Sequence, residues 1–179
     1  MSFSGFILKC AGWSVRVTAP DYPKCIICVA PHTSNWDFFL GMLAYASVGR
    51  KAGFLMKKSW FFWPLGPILR ALGGIPVNRG RSTSLVDTIA ARFDSVDRMT
   101  IAITPEGTRK KTTQWHTGFL RIAALAHVPV ILGAIDAATK SIVVEKTFTP
   151  TGSLEEDMRA VKDYYSAFTG IHPDKFSAD

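Results

Sequence analysis

CIICVAPHTSNWDFFLGMLAYASV, residues 25–48, decides how the chain is read. Cys25 to Ala30 is a short apolar run with the composition of a buried strand. A loop opening at Pro31 follows, and then a helical stretch from about Trp36 to Val48, with Ser34 or Asn35 placed to cap it. The same succession recurs along the chain. Gly53 to Met56, Ile75 to Val77, Thr100 to Thr104, Val130 to Ile135 and Ser141 to Phe148 read as further strands. Between them, Leu85, Val86, Ile89, Ala90 and Phe93 form one helical face, with Ser82 or Ser84 as its cap. Phe119, Ile122, Ala123 and Ala126 form another, after Thr112 and Thr113, at helical spacing. Leu154, Met158, Val161, Tyr165 and Phe168 form a third, opened by a Ser153–Glu156 capping box. Strands alternating with helices predict an α/β fold with a mostly parallel central sheet flanked by helices. No Gly-, Ser- or Pro-rich linker divides the 179 residues, so a single domain over 25–179 is expected behind a short N-terminal segment, 1–24.

Composition removes several classes of function. With 47% hydrophobic and 20% charged residues the chain is not disordered. Three cysteines do not make a disulfide framework. Cys25 and Cys28 stand three apart on an expected strand and so face opposite sides, which suits core thiols in a reducing, cytoplasmic compartment rather than a redox or zinc site. No cluster of metal-ligating residues is evident. The net charge of +7 could suit nucleic acid, but no pattern of stacking aromatics on basic strands accompanies it. A membrane surface suits it better. No uncharged run is long enough to span a bilayer, yet residues 59–74, SWFFWPLGPILRALGG, follow Lys57 and Lys58 with two Trp and two Phe. That is the composition of an interfacial surface, and Pro64 and Pro67 break any straight helix there. The N-terminal segment can share that interface.

Two constellations carry chemistry. His32 and Asp37 stand at H-x4-D. Five steps along a regular helix leave two residues about 140° apart, so they cannot share a helix face. They can meet if His32 lies in the loop and Asp37 in the first helical turn, where the carboxylate can take the proton side of the imidazole and leave the other nitrogen as a base. Chance supplies about 0.2 such matches in a chain with four His and ten Asp. TPEGTR, residues 104–109, comes directly after an expected strand and is followed by Lys110 and Lys111. Pro105 and Gly107 force a turn, and Arg109 can bind a phosphate bidentately with help from the turn's N–H groups. The string PEGTR arises by chance in on the order of one such chain in ten thousand. GIPVNR, residues 74–79, ends a third apolar strand in Arg, and VPVIL, residues 128–132, reads as a buried strand.

In this order the four pieces resemble the blocks of the lysophospholipid acyltransferase family, of the 1-acylglycerol-3-phosphate acyltransferase type. The resemblance covers about residues 25–176. It implies that 25–179 is an acyltransferase domain moving an acyl group from a thioester, on coenzyme A or acyl carrier protein, to a lysolipid hydroxyl. No other cofactor is implied. His32 becomes the general base, Asp37 its orienting partner, and Arg79 with Glu106, Gly107, Thr108 and Arg109 the acceptor's phosphate site. Peripheral attachment at the inner face of the membrane follows. Two positions depart from the pattern: Thr104 where an apolar residue is usual, and Leu132 where a second proline is usual.

Two rivals remain. A lipid or thioester hydrolase would use Ser34 with His32 and Asp37, but no G-x-S-x-G elbow occurs. A non-catalytic lipid-binding protein would fit the basic, aromatic surface but needs no base. His116, His127 and His172 read as ordinary helix-end or turn residues.

Overall fold

Seven strands build one sheet in the order β1-β7-β6-β2-β5-β3-β4, where β1 is Ser14–Val17, β2 Lys24–Ala30, β3 Gly53–Lys57, β4 Gly74–Val77, β5 Met99–Ile103, β6 Val130–Asp136 and β7 Ser141–Phe148. The computed structural model describes residues 2–77 and 82–179. β6, β2, β5, β3 and β4 run parallel; β7 turns back antiparallel to β6, and β1 lies parallel to β7 at the edge. The helices are α1 (Phe3–Cys10), α2 (Trp36–Ser47), α3 (Leu65–Ala71), α4 (Ser82–Asp94), α5 (Gly118–Leu125) and α6 (Leu154–Tyr165). The α/β class and the mostly parallel sheet are as the sequence predicts.

Alternation along the central strand sorts the layers. Ile26, Cys28 and Ala30 face a core built with Val86, Ile89 and Phe93 of α4, Phe119 and Ile122 of α5 and Val161 and Tyr165 of α6. Cys25 and Ile27 face the opposite side, with Tyr45 of α2. Burial pushes both thiols' pKa values up, so neither is a ready thiolate, and both are free. Leu132, in the position where a second proline is usual in the resembling family, is fully buried and sits in the β6 ladder opposite Cys28. A proline there would delete a backbone donor from a central strand.

Three local expectations need correction. Residues 14–17, expected to precede the first strand, form the edge strand β1, and Phe3–Cys10 form a helix capped by Ser2. Residues 65–71 are helical despite Pro67, because that proline stands in the first turn, where its missing N–H would have had no intrahelical acceptor. The helix expected after Thr112 starts only at Gly118, with Thr117 at its N-cap. Ser153 does accept from the Glu156 N–H, at 3.5 Å.

The parallel strands end on one edge of the sheet, so the segments that follow β2, β5, β3 and β6 emerge side by side. β2 and β5 are direct neighbours, with Cys28 opposite Ile103. That pairing brings together the His32 loop and the PEGTR turn, 74 residues apart in the chain.

Candidate active site

The loop after β2 is tied to the start of α2 by a single oxygen. Oδ2 of Asp37 accepts the backbone N–H groups of Thr33 and Ser34, each at 2.7 Å. The same oxygen lies 3.3 Å from Nδ1 of His32. His32 is therefore in the loop and Asp37 in the first turn of α2, the arrangement that the sequence reading named. Asp37 is buried, with 2% of its side chain exposed, while His32 retains 19%. The two amides and the positive end of α2 support the buried negative charge. A proton on Nδ1, on the side of Asp37, would leave Nε2 its lone pair, able to take a proton from a substrate.

Of the two predicted caps, Ser34 serves the helix start and Asn35 does not. Asn35 occupies the N-cap of α2 but makes no side-chain capping bond. Its Oδ1 instead accepts from Nη1 of Arg109. Ser34 Oγ accepts from the Trp36 N–H at 3.2 Å, and the residue is buried, so its hydroxyl serves the helix start.

The turn after β5 supplies the second wall. Gly107 has φ +64°, which L side chains rarely adopt, and its N–H donates to Thr104 O. A Cβ on Gly107 would lie 2.6 Å from Cδ2 and 2.8 Å from Nε2 of His116, whose own N–H donates to Pro105 O. Glycine is thus required twice, by the backbone and by the imidazole beside it. Thr108 Oγ1 accepts the Lys110 N–H. Arg109, Lys110 and Lys111 are exposed around the turn.

Glu106 departs from the expected headgroup contact. It is 5% exposed, and Oε1 accepts the His32 N–H at 2.9 Å. Oε2 is buried without a hydrogen-bond partner, as is Oδ1 of Asp37. A buried carboxylate pinned to a backbone amide holds the His32 loop, and as an anion it would repel a phosphate. Burial raises its pKa to about 7, with the Asp37 charge adding to the rise and the His32 N–H opposing it.

The structure therefore gathers His32, Asp37, Glu106, Gly107, Thr108 and Arg109 at one sheet edge. Arg79 lies outside the described residues. Asn35, Thr33 and His116 belong to the same neighbourhood and were not singled out as site residues by sequence; their partners lie far along the chain and leave no local pattern. Among the described residues no group of three His, Cys, Asp or Glu side chains could hold a metal ion.

A family model described as Acyltransferase matches residues 15–135, a range that holds both the H-x4-D loop and the PEGTR turn. No curated protein matches the sequence. Among solved structures, the chain is similar to the crystal structure of the 1-acyl-sn-glycerophosphate (LPA) acyltransferase PlsC from Thermotoga maritima. The TM-score is 0.58 at 19% identity, over 94% of this chain and 79% of that one. At that identity the likeness is one of fold.

The raised carboxyl of Glu106 has a consequence for stability. A carboxyl with its folded pKa above its unfolded value contributes most at pH below about 4.5, and that contribution is lost as pH rises through about 7. Glu106→Gln stays neutral and can still accept the His32 N–H. Relative to wild type, the variant should gain on the order of 3 kcal/mol of unfolding free energy between pH 4.5 and 7.5. Denaturant titrations at the two pH values check this, and parallel pH dependences would contradict it.

Proposed function

The chain belongs to the acyltransferase family and is an acyltransferase, and we propose that it moves a fatty acyl group from a thioester to the hydroxyl of a lysophospholipid. The proposed acceptor is 1-acylglycerol 3-phosphate, and the donor is acyl-coenzyme A or acyl-acyl carrier protein. The observation that carries the reading is the His32–Asp37 pair, held at 3.3 Å through Nδ1, with no partner on Nε2 among the described residues. Nε2 takes the proton from the acceptor hydroxyl as its oxygen attacks the thioester carbonyl carbon. The tetrahedral intermediate collapses, the carbon–sulfur bond breaks, and the thiolate leaves with the proton that the imidazolium returns. The products are the diacyl lipid ester and the free thiol, and no acyl-enzyme is formed. Such a base contributes about 10²–10⁴-fold, and alignment of the two substrates contributes more.

Arg109 is the proposed phosphate ligand. Its contact with Asn35 aims it from the turn toward the His32 loop, so a phosphate held there would sit near the base. Gly107 and Thr108 shape the turn that presents it, and Glu106 acts on the loop itself. Ser34, engaged with the Trp36 N–H, is poorly placed to be a nucleophile, which weighs against a hydrolase.

A lipid acceptor calls for a membrane surface, and the proposal places one beside the site. The segment after β3 leaves the same sheet edge as the His32 loop. It exposes Trp60, Phe62 and Trp63, with Trp63 85% exposed, and α3 adds Ile68 and Leu72. Phe3 and Phe6 of α1 are exposed as well. Lys57 and Lys58 flank the aromatics, as expected of a face that meets anionic headgroups. No described helix is long and apolar enough to cross a membrane, so the contact proposed is peripheral, at the cytoplasmic face.

The reaction is tested with a labelled long-chain acyl thioester and 1-acylglycerol 3-phosphate on vesicles. Wild type should form the diacyl product, and folded His32→Ala should lose at least about 10²-fold in kcat. Arg109→Ala should raise KM for the acceptor about tenfold or more and leave KM for the thioester within about twofold, the signature of a lost charge-assisted contact. A silent wild type, tried with other lysolipids and both donor types, would overturn the reading in favour of lipid binding alone.

The surface is tested by sedimentation with anionic vesicles. Replacing Phe62 and Trp63 together with Ser should weaken binding at least about tenfold, given roughly 1.5–3 kcal/mol for each large apolar side chain buried. Equal sedimentation would remove this segment from the contact.

A further inference from the structure

The chain after α6 returns to the sheet edge that carries the site. The Thr169 N–H donates to Oδ1 of Asp136 at the end of β6, and Thr169 O accepts the Ala137 N–H at 2.8 Å. Eight residues on, Ser177 O accepts from Nε1 of the buried Trp115 at 3.2 Å. Phe176 also lies against the Trp115 ring. The segment is thus fastened at both ends, and between them it crosses the His32 loop. The His172 N–H donates to Oγ1 of Thr33 at 3.1 Å. Gly170 lies so close that a Cβ there would stand 2.7 Å from Cγ2 and 2.8 Å from Oγ1 of Thr33, and 3.1 Å from Cβ of Pro31.

Thr33 is the residue between the base and the rest of its loop. Its hydroxyl is engaged by the strap, the residue is 2% exposed, and its N–H is one of the two amides on Oδ2 of Asp37. The strap also reaches the second wall of the site, because Trp115 precedes His116, whose N–H holds Pro105 O at 2.7 Å. One segment therefore braces both loops from behind.

We infer that residues 169–177 are part of the active-site framework, and that Thr33, gripped by Gly170 and the His172 N–H, is a positioning residue that sets Asp37 and through it His32. This rests on the acyl-transfer reading above. A simple packing role would lower stability alone, whereas a positioning role lowers turnover in a folded enzyme.

The test uses the full chain with Thr33→Val, Thr33→Ser and Gly170→Ala. Valine keeps the shape and removes the acceptor of the His172 N–H. Serine restores the acceptor. Alanine at 170 forces the strap off Thr33. Two readouts are taken: amide hydrogen exchange at Thr33 and Ser34, which needs no activity, and steady-state kinetics. Thr33→Val and Gly170→Ala should exchange those amides about tenfold faster and lose about tenfold in kcat, with both KM values within about twofold. Thr33→Ser should be close to wild type in both. Unchanged exchange in Thr33→Val and Gly170→Ala overturns the inference, and so does faster exchange with undiminished kcat in an active enzyme. If wild type turns over no lysolipid, the acyl-transfer reading has failed, and the exchange result alone decides whether the strap positions this loop.

Discussion

Three groups converge on Oδ2 of Asp37: the backbone N–H groups of Thr33 and Ser34, which donate to it, and the Nδ1 atom of His32, 3.3 Å away. The loop between β2 and α2 owes its shape to this convergence, and so does the direction in which Nε2 of His32 points. The carboxylate is buried to 2% exposure, and the two amides give its Oδ2 the partners that a buried polar atom needs. The geometry of the loop and the placement of the His32 imidazole therefore meet at one oxygen. Glu106 adds a second attachment, from the PEGTR turn to the His32 N–H. Asn35 and Arg109 add a third between the same two segments.

Two buried carboxyl groups around one imidazole would be costly if both were charged. Their environments separate them. Asp37 has two backbone donors on Oδ2 and Glu106 one on Oε1, each carboxyl keeps one oxygen without a partner, and burial raises the pKa of Glu106 to about 7. Glu106 can hold the loop with or without its proton, because Oε1 accepts the His32 N–H in either state.

What the sequence made legible was local. Cys25–Ala30 reads as a strand from its apolar run, and the H-x4-D spacing lets the pair meet with His32 in a loop and Asp37 in a first turn. PEGTR reads as a turn from Pro105 and Gly107. What stayed hidden was either short or distant in sequence. β1 has four residues and gains its place only by pairing with β7. α3 hid behind Pro67, a helix breaker in the interior but tolerated in the first turn. Asn35 looked like a cap and serves Arg109; Glu106 looked like a headgroup ligand and serves the His32 amide. Both partnerships span 74 residues and depend on β2 and β5 being neighbours, which no local pattern announces.

The central claim is that Asp37 acts on His32 by its charge as well as by holding the loop. Asp37→Asn separates the two, since the amide oxygen can still accept the Thr33 and Ser34 N–H groups but the negative charge is gone. The decisive measurement is kcat of this variant, with its fold verified by its melting curve. A fall of about 10²–10⁴-fold in a folded protein is predicted. A kcat within about twofold of wild type would show that Asp37 shapes the start of α2 and does nothing for the base.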